Sequence, residues 1–150
     1  MNHGLLIRPY REEDESDVAA LWREVFPDNS PWNIPENDIK RKLNVQRELF
    51  FVAESDGMII GTAMAGFDGH RGWVYYVAVK EDHRKQGIGK ALMERVEKEL
   101  RNIGCTKLNL QVRSSNTGVV DFYKNLGYIV EDRVSMGKLL IDRDKKASNY

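Results

Sequence analysis

Apolar and polar positions along the chain follow two periods, and the order of these periods predicts the order of the elements. A short apolar run over residues 5–8 predicts a first strand. Apolar residues three and four positions apart then predict a helix that Asp14 can cap, because its carboxylate can accept a free helical N–H. The apolar face of this helix consists of Val18, Leu21, Trp22 and Val25. Pro35 favours the start of a second helix, since proline suits the first helical position.

Three strands in series follow the two helices. Asp56 and Gly57 lie between two apolar runs, and an Asp-Gly pair in that setting predicts a hairpin. The second arm of the hairpin extends to Phe67, and a turn over residues 68–72 leads into a third strand over residues 73–79. This third strand is apolar on both faces, so we expect it to be a central strand.

The C-terminal half is predicted to alternate helices and strands. A helix begins at Gly87 and ends at Gly104, where glycine can adopt the left-handed conformation that terminates helices. Residues 107–112 alternate and predict a strand, which we expect to run parallel to the preceding one because a helix connects them. Residues 117–126 predict another helix, and residues 128–140 predict a last strand that is kinked or folded as a very short hairpin.

The predicted order is β-α-α-β-β-β-α-β-α-β, which indicates a mixed α/β (α+β) fold with a mostly antiparallel central sheet flanked by helices. The length of 150 residues suits one globular domain. We expect this domain to occupy residues 1–141 and the uniformly polar residues 142–150 to form a loose tail.

Charge and composition exclude several classes of protein. The 23 basic residues are balanced by 23 acidic ones, which argues against nucleic acid as a partner. No apolar run of about 18 residues occurs, and the N-terminus does not resemble a secretory signal, so we expect a cytoplasmic protein without a membrane partner. A single cysteine cannot form an internal disulfide, and three scattered histidines do not suggest a metal site.

Residues 84–90 carry the most informative chemistry. Glycines at the entrance of a helix allow a ligand to approach the backbone, and the free N–H groups of a first helical turn suit phosphate. The alternative interpretation is that the glycines only begin the helix and that the basic side chains are solvated. Arg84, Ala91 and Leu92 exclude a Walker loop and a dinucleotide fingerprint, because those motifs require other residue types at these positions.

Residues 84–89, which read Arg-Lys-Gln-Gly-Ile-Gly, resemble the Q/R-x-x-G-x-G/A signature of the GNAT superfamily of acyl-CoA-dependent N-acetyltransferases. A second motif resembles the N-x-x-A-x-x-x-Y-x-x-x-G-[FY] helix of that family, and it consists of Asn116, Val119, Tyr123 and residues 126–128. The element order is similar as well, and the likeness extends over residues 5–140. Within the family, residues 31–33 and 68–72 resemble the bacterial YpeA-type subgroup.

The resemblance implies acetyl-CoA as the co-substrate and no metal. In such enzymes the backbone amides of the signature loop hold the pyrophosphate, with glycines that give it room, and the pantetheine arm lies like an additional strand where two strands splay apart. A backbone N–H near Val77 would stabilise the oxyanion that forms when the thioester is attacked. The implied coenzyme-binding residues are Val77, Ala78, Val79, Arg84, Lys85, Gln86, Gly87, Ile88, Gly89, Lys90, Asn116 and Tyr123.

The resemblance also implies that Tyr123 donates a proton to the departing thiolate, which a phenol with a pKa of about 10 can do at neutral pH. The alternative interpretation is that Tyr123 only packs and that Asn116 only caps a helix. The general base is open, because Gln111 occupies a strand position where some relatives carry glutamate. The candidates are Asp68 and His70 in the turn, Tyr75 acting through a water, or an amine that loses its proton unaided.

The amine acceptor should bind between residues 26–39 and the last strand. One interpretation of that segment is an aromatic and acidic site for a cationic amine, and the other is an ordinary polar loop with a packed tryptophan. The candidate residues are Asp28, Trp32, Glu36, Asp38 and Tyr75.

The first expectation for function is acetyl transfer to the primary amine of a small molecule by direct attack in a ternary complex. One alternative is acetylation of a protein N-terminus, since residues 113–116 are similar to a stretch of ribosomal-protein acetyltransferases. Another is a CoA-binding sensor module without turnover. A homodimer is expected if the open edge of the last strand pairs with a second copy.

Overall fold

The computed structural model describes residues 4–141, and the predicted tail over residues 142–150 lies outside them. The strands are β1 (Leu5–Pro9), β2 (Phe50–Ser55), β3 (Met58–Phe67), β4 (Gly72–Val79) and β5 (Leu108–Asn109). The helices are α1 (Glu15–Val25), α2 (Pro35–Lys42), α3 (Ile88–Asn102) and α4 (Thr117–Asn125). Short 3-10 turns precede α1, β2 and α3.

The strands form one mixed sheet in the order β1-β2-β3-β4-β5. The first four are antiparallel neighbours, and the predicted β2–β3 hairpin turns at Asp56 and Gly57, which both have the positive φ angles that a two-residue hairpin turn requires. β5 runs parallel to β4, as predicted from the helix that connects them. The predicted fold class is therefore confirmed.

Helices cover both faces of this sheet. On one face α3 buries Leu92 and Val96 completely in a cluster that also contains residues of β2, β3 and β4. On the other face α1 buries Val18 and Trp22 in a second cluster with Ile39 of α2. Each such side chain contributes roughly 1.5–3 kcal/mol to folding through burial. Because both faces are covered, a ligand can reach the sheet backbone only at an edge or where two strands separate.

The C-terminal half contains less strand than predicted. Of residues 107–112, only Leu108 and Asn109 pair with β4. The last strand predicted over residues 128–140 is wrong, since residues 128–141 form no strand. Apolar residues recur there as they do in strands, but within residues 4–141 this segment bonds to residues 107–111 through side chains and not through the backbone ladder that a strand needs. Their exposed fractions are 81% for Ile129, 72% for Val130, 87% for Val134, 91% for Met136 and 92% for Leu140.

Asp14 precedes α1 but its side chain does not cap the helix, contrary to the prediction. Its carboxylate instead accepts two bonds from the guanidinium of Arg8 at 2.8 and 2.9 Å and the backbone N–H of Arg11 at 2.9 Å. A buried guanidinium binds a carboxylate more strongly than a neutral helical N–H does. Burial by itself would raise the pKa of Asp14, but the bonds from Arg8 outweigh it and hold that pKa below its usual value.

Candidate active site

β4 is interrupted at Tyr76, which has a φ of 52° although it is not glycine. The register between β3 and β4 shifts at this point, so that Ala63 lies opposite both Tyr76 and Val77. In such a β-bulge the extra residue is left unpaired and the strand bends. The bulge therefore leaves backbone groups without a backbone partner on β3 near Val77, where we predicted the N–H that donates a hydrogen bond to the oxyanion.

The second half of β4 has an open edge. Among the described residues, β5 pairs only with the first two residues of β4, so residues 75–79 have no strand on that side. The N–H of Lys80 donates to the carbonyl of Ile60 at 2.8 Å. Because antiparallel pairs alternate, the N–H and C=O of Val79 point away from β3. An extended ligand arm can bind such groups as an additional strand does.

The open edge continues into the loop that precedes α3. Nε of Arg84 donates to the carbonyl of Val79 at 3.2 Å. Arg84 directly follows the 3-10 turn Glu81–His83, so this bond ties the loop to the end of β4. The signature loop and the open edge of β4 thus form one continuous site.

The loop enters α3 through Gly87, whose φ of 80° is a left-handed conformation that glycine adopts without strain. The N–H of Ala91 bonds to the carbonyl of Gly87 at 3.0 Å. The N–H groups of residues 88–90 therefore precede the first intrahelical bond and have no acceptor within the helix. Free N–H groups at the positive end of a helix dipole suit a diphosphate. The exposed side chains beside them are Arg84, Lys85, Gln86 and Lys90.

Gly89 has a different reason to be glycine. A Cβ atom at this position would lie 2.9 Å from Cζ of Phe122 in α4, whereas one at Gly87 would meet nothing within 4 Å. The space at Gly89 is thus taken up by packing between α3 and α4, and only the space at Gly87 is left open. The expectation that both glycines give the coenzyme room is corrected for Gly89.

Tyr123 lies on α4 with its side chain 8% exposed. Its ring meets those of Phe122 and Tyr128 edge to face, at centroid distances of 5.0 and 5.6 Å. Among residues 4–141 its hydroxyl has no hydrogen-bond partner, and burial raises its pKa to about 12. Tyr123 belongs to the same apolar cluster as Val77 and Val79. It is therefore a protonated phenol with an unused donor, in the apolar cluster against which Val77 and Val79 also pack.

Asn116 caps α4, since its side-chain oxygen accepts the N–H of Val119 at 3.4 Å. The rest of Asn116 is exposed. The capping role accounts for this residue structurally, and its contact with the coenzyme stays a prediction.

A hydrogen-bonded group around Tyr76 was not foreseen from the sequence. The Tyr76 hydroxyl donates to Oδ2 of Asp38 at 2.5 Å and accepts Nδ2 of Asn29 at 3.2 Å. Its ring stacks on Trp22 with the centroids 3.8 Å apart. Burial raises the pKa of Tyr76, and the bond to Asp38 raises it further. Tyr76 thus joins α2 and the loop between α1 and α2 to the bulge, and no residue type in the sequence indicates the positive φ that makes this possible.

The candidate acceptor residues fall into two groups. Asp28 and Trp32 lie in the loop between α1 and α2, where both are exposed, and Tyr75 is 50% exposed on β4. The carbonyl of Asp28 accepts Nη2 of Arg113 at 3.3 Å. The loop therefore contacts the segment after β5. We expected it to face a last strand, but residues 128–141 form none.

The two remaining acidic candidates already have partners. Glu36 accepts two bonds from Arg23 at 2.9 and 2.7 Å on the surface. Asp38 is bonded to Arg41 as well as to Tyr76. Each carboxylate therefore already accepts two hydrogen bonds from neighbouring side chains.

Asp68 and His70 lie in the turn before β4 and are exposed. Oδ1 of Asp68 accepts the backbone N–H groups of His70 and Arg71, each at 2.8 Å, and these bonds lower the pKa of Asp68. The turn is separated from Val77 by five residues of strand, about 17 Å at ~3.3 Å per residue. Both side chains therefore lie at the opposite end of β4 from the open edge.

Gln111 follows β5 and donates to the hydroxyl of Ser135 at 2.5 Å. Within residues 4–141 no group of three or more His, Cys, Asp and Glu side chains is arranged to bind a metal ion. The same part of the chain contains no helix that is both long enough and apolar enough to cross a membrane.

Comparisons with known proteins agree with this geometry. The profile of the Acetyltransferase (GNAT) family matches residues 15–128. A protein of Yersinia pestis (strain Pestoides F) named acetyltransferase is 47% identical over 135 residues, which cover 90% of this chain and 95% of that protein. An acetyltransferase of Pectobacterium atrosepticum is 46% identical over 136 residues, covering 91% and 96% of the two chains.

Two solved structures are similar to this fold. The aminoglycoside N-acetyltransferase AAC(6')-Iy in complex with CoA superimposes with a TM-score of 0.76 at 20% identity, over 91% of this chain and 95% of that one. The ribosomal-protein-S18-alanine N-acetyltransferase from Escherichia coli gives a TM-score of 0.68 at 25% identity, over 82% and 76% of the chains. The open edge of β4, the entrance of α3 and these similarities together assign the function class: the chain is an acetyltransferase and belongs to the GNAT family.

Proposed function

We propose that this enzyme transfers the acetyl group of acetyl-CoA to the primary amine of a small molecule, by direct attack in a ternary complex. The observation that carries the proposal is the continuity between the free N–H groups of α3 and the open edge of β4. Tyr123, whose hydroxyl has no hydrogen-bond partner among residues 4–141, belongs to the apolar cluster against which the end of β4 packs. The diphosphate of acetyl-CoA requires the N–H groups, its extended pantetheine arm requires the open strand edge, and its departing thiolate requires a proton donor such as Tyr123.

In the proposed complex the diphosphate binds the N–H groups of residues 88–90, with Arg84, Lys85, Gln86 and Gly87 around it. The pantetheine arm lies along residues 77–79 and bonds to the backbone groups that point away from β3. Binding there displaces the bond from Arg84 to the carbonyl of Val79 or shares that carbonyl. Asn116 contacts the arm from the start of α4.

The chemistry needs one nucleophile and one acid. The amine nitrogen attacks the thioester carbonyl, whose oxygen becomes negative and is stabilised by the backbone N–H near Val77. The C–S bond then breaks, and the nitrogen keeps the acetyl group and loses a proton to water. Tyr123 donates its proton to the departing thiolate and regains one from water, so that no covalent enzyme intermediate forms.

We propose that the amine loses its first proton without a dedicated base. Support comes from the turn that holds Asp68 and His70, which is separated from Val77 by five residues of strand, about 17 Å at ~3.3 Å per residue. Tyr75, half exposed near the bulge, is the residue that can order a water beside the amine. Asp28, Trp32 and Tyr75 then line the acceptor side of the site.

A peptide N-terminus is the second candidate acceptor. The similarity to the ribosomal-protein-S18-alanine N-acetyltransferase supports it. Gln111, which has no proton-accepting group, argues against it if such an acceptor needs a carboxylate at that position. A sensor module that binds CoA without turnover remains the alternative outcome of the test below.

The test uses the complete chain with acetyl-CoA and a panel of small amines and peptides, and measures CoA thiol release together with acetyl-CoA affinity. Tyr123→Phe should lose roughly 100- to 10,000-fold in kcat with little change in affinity, because general acid catalysis contributes on that order. The matched control is Tyr128→Phe, which removes a phenol hydroxyl that bonds to Glu97 at 2.6 Å. Acetyl-CoA binding without release of thiol to any acceptor would contradict the proposal and support the sensor.

A homodimer is proposed as well. Support comes from residues 128–141, which form no strand in the described structure and carry five apolar side chains that are 72–92% exposed. Such an unpaired apolar segment is prone to pair with another strand, and an identical copy supplies one. A cytoplasmic location and the subgroup assignment stay predictions.

A further inference from the structure

We propose that Asp38 and Asn29 are positioning residues that act through the Tyr76 hydroxyl to hold the β4 bulge in its working conformation. The inference rests on the proposed function, since it concerns the backbone N–H near Val77 that would meet the thioester oxygen. Neither residue needs to touch a substrate to have this effect.

The backbone of the bulge is in an unfavourable conformation. A tyrosine at φ 52° is unfavourable, because its Cβ crowds the neighbouring backbone in the left-handed region. Such a conformation persists only where surrounding contacts fix it. If those contacts were lost, residue 76 would relax towards extended backbone and the N–H of Val77 would change direction.

The contacts that fix Tyr76 come from both its backbone and its side chain. Its carbonyl accepts the hydroxyl of Thr62 at 2.8 Å, and that hydroxyl in turn accepts Nε1 of Trp22 at 2.9 Å. The Tyr76 ring stacks on the Trp22 ring, with the centroids 3.8 Å apart, and meets the Phe26 ring edge to face at 5.6 Å. These contacts hold the ring in its plane, but they do not prevent it from sliding along the face of Trp22.

The hydroxyl supplies the missing constraint. Asp38 accepts its proton at 2.5 Å, and Asp38 is itself bonded to Arg41 on the same helix, so its carboxylate has a fixed position. Asn29 donates to the hydroxyl oxygen at 3.2 Å from the opposite element, the loop between α1 and α2. Two bonds from two elements therefore determine where the end of the Tyr76 side chain lies.

The same bonds connect the bulge to the acceptor side of the site. The side-chain oxygen of Asn29 accepts the N–H of Ser30 and Nδ2 of Asn33, both at 3.0 Å, so Asn29 organises the loop that also carries Asp28 and Trp32. An acceptor that orders this loop would strengthen the bond to Tyr76. The backbone N–H near Val77 that bonds to the oxyanion is then most firmly positioned when the amine is bound.

The experiment removes the hydroxyl and leaves the ring. Tyr76→Phe keeps the stack on Trp22 and should lower kcat roughly tenfold, while the Kd for acetyl-CoA changes less than about twofold. Asp38→Ala removes one of the two bonds to that hydroxyl and should lower kcat in the same direction by a smaller factor. The double variant should be no worse than Tyr76→Phe, because that single variant has already removed both bonds. Asp38→Asn should restore most of kcat, since an amide oxygen can also accept the hydroxyl.

Tyr128→Phe is the matched control, because it also removes a hydroxyl that donates to a carboxylate. A readout that needs no turnover is the amide resonance of Val77 in the ¹⁵N-labelled protein, which should be displaced in Tyr76→Phe and unchanged in Tyr128→Phe. An unchanged kcat and an unchanged resonance in Tyr76→Phe would overturn the inference. So would a loss of acetyl-CoA affinity equal to the loss of kcat, which indicates a general structural defect.

Turnover by the unmodified chain decides the proposed function separately. If the unmodified chain has no turnover with any amine, the resonance of Val77 still decides whether the Tyr76 hydroxyl fixes the bulge.

Discussion

Gly89 of α3 packs directly against Phe122 of α4, so closely that a Cβ on Gly89 would lie 2.9 Å from the phenyl Cζ. This contact brings the helix with the free N–H groups next to the helix that carries Tyr123. The glycine signature therefore serves two purposes, since Gly87 shapes the loop and Gly89 sets the distance between two helices.

The first prediction concerns this contact. Gly89→Ala should destabilise the fold by about 1–3 kcal/mol, because an added methyl group forces Phe122 to move. The double variant Gly89→Ala with Phe122→Leu should recover part of that lost stability. Thermal unfolding of the unmodified chain, Gly89→Ala and the double variant measures the recovery. Gly87→Ala is the contrasting variant, whose cost of about 1–2 kcal/mol arises from its left-handed φ and should not be relieved by Phe122→Leu. Equal recovery in both pairs would contradict the assignment.

The second prediction concerns pH. Burial raises the pKa of Tyr123 to about 12, so this phenol stays protonated throughout the range in which the enzyme can be assayed. The rate should therefore rise with pH as the amine loses its proton, and show no fall below about pH 10 from loss of the acid. For two amines of different pKa, the midpoint of the kcat/KM profile should follow the amine. A midpoint that is the same for both amines would indicate a base on the enzyme.

The third prediction concerns acid stability. Arg8 and Asp14 form a pair in which both side chains are less than a tenth exposed, and the pKa of Asp14 is lowered in the folded state. A lowered carboxylate pKa contributes stability above the unfolded value of about 3.9, and that stability is lost as pH falls through the folded value. Asp14→Ala should cost about 3–5 kcal/mol at pH 7, because it leaves Arg8 buried with only part of its partners.

The measurement for this pair is urea unfolding at pH 7 and near pH 3. The difference between wild type and Asp14→Ala should be smaller at the lower pH, since protonation weakens the pair in the wild type. Glu12→Ala, which removes an exposed pair with Arg47, is the control and should change little at either pH. An equal difference at both pH values would show that Asp14 stabilises the fold through something other than its charge.

The fourth prediction concerns association. Val134→Glu places a charge in the exposed apolar segment of residues 128–141 and should shift a dimer to monomer in sedimentation. Val45→Glu is the matched control, since Val45 is a 59% exposed valine outside that segment. A chain that is monomeric before any substitution would contradict the proposed dimer.

The elements that the sequence predicted well are those fixed by local chemistry. The Asp56-Gly57 turn, Pro35 at the start of α2 and the left-handed glycines after α3 and α4 each depend on a few neighbouring residues. The parallel direction of β5 follows from connection rules alone. The family motifs add a prediction of the site, because the signature lies where the loop enters α3.

The features that were not predicted depend on residues far apart in the sequence. Asp14 binds Arg8 and, through it, Glu54, which is 40 positions away from Asp14, so a local capping rule could not identify its partner. Tyr76 in the bulge contacts Thr62, Asn29 and Asp38, which are distant in the sequence, whereas its own residue type favours an ordinary strand. Residues 128–140 have the spacing of a strand, but a strand also needs a partner, which the pattern does not specify.

The two-residue ladder between β4 and β5 has a consequence for the motions of the chain. Residues after α3 are joined to the sheet mainly by side-chain packing, so this junction should open at a lower free energy than the long β2–β3 hairpin. Amide protons of residues 75–79 that point into the gap should exchange with deuterium early. A bound coenzyme would bridge the gap between β4 and the residues after β5. It would thereby restrict the opening of this junction and slow the exchange of those amide protons.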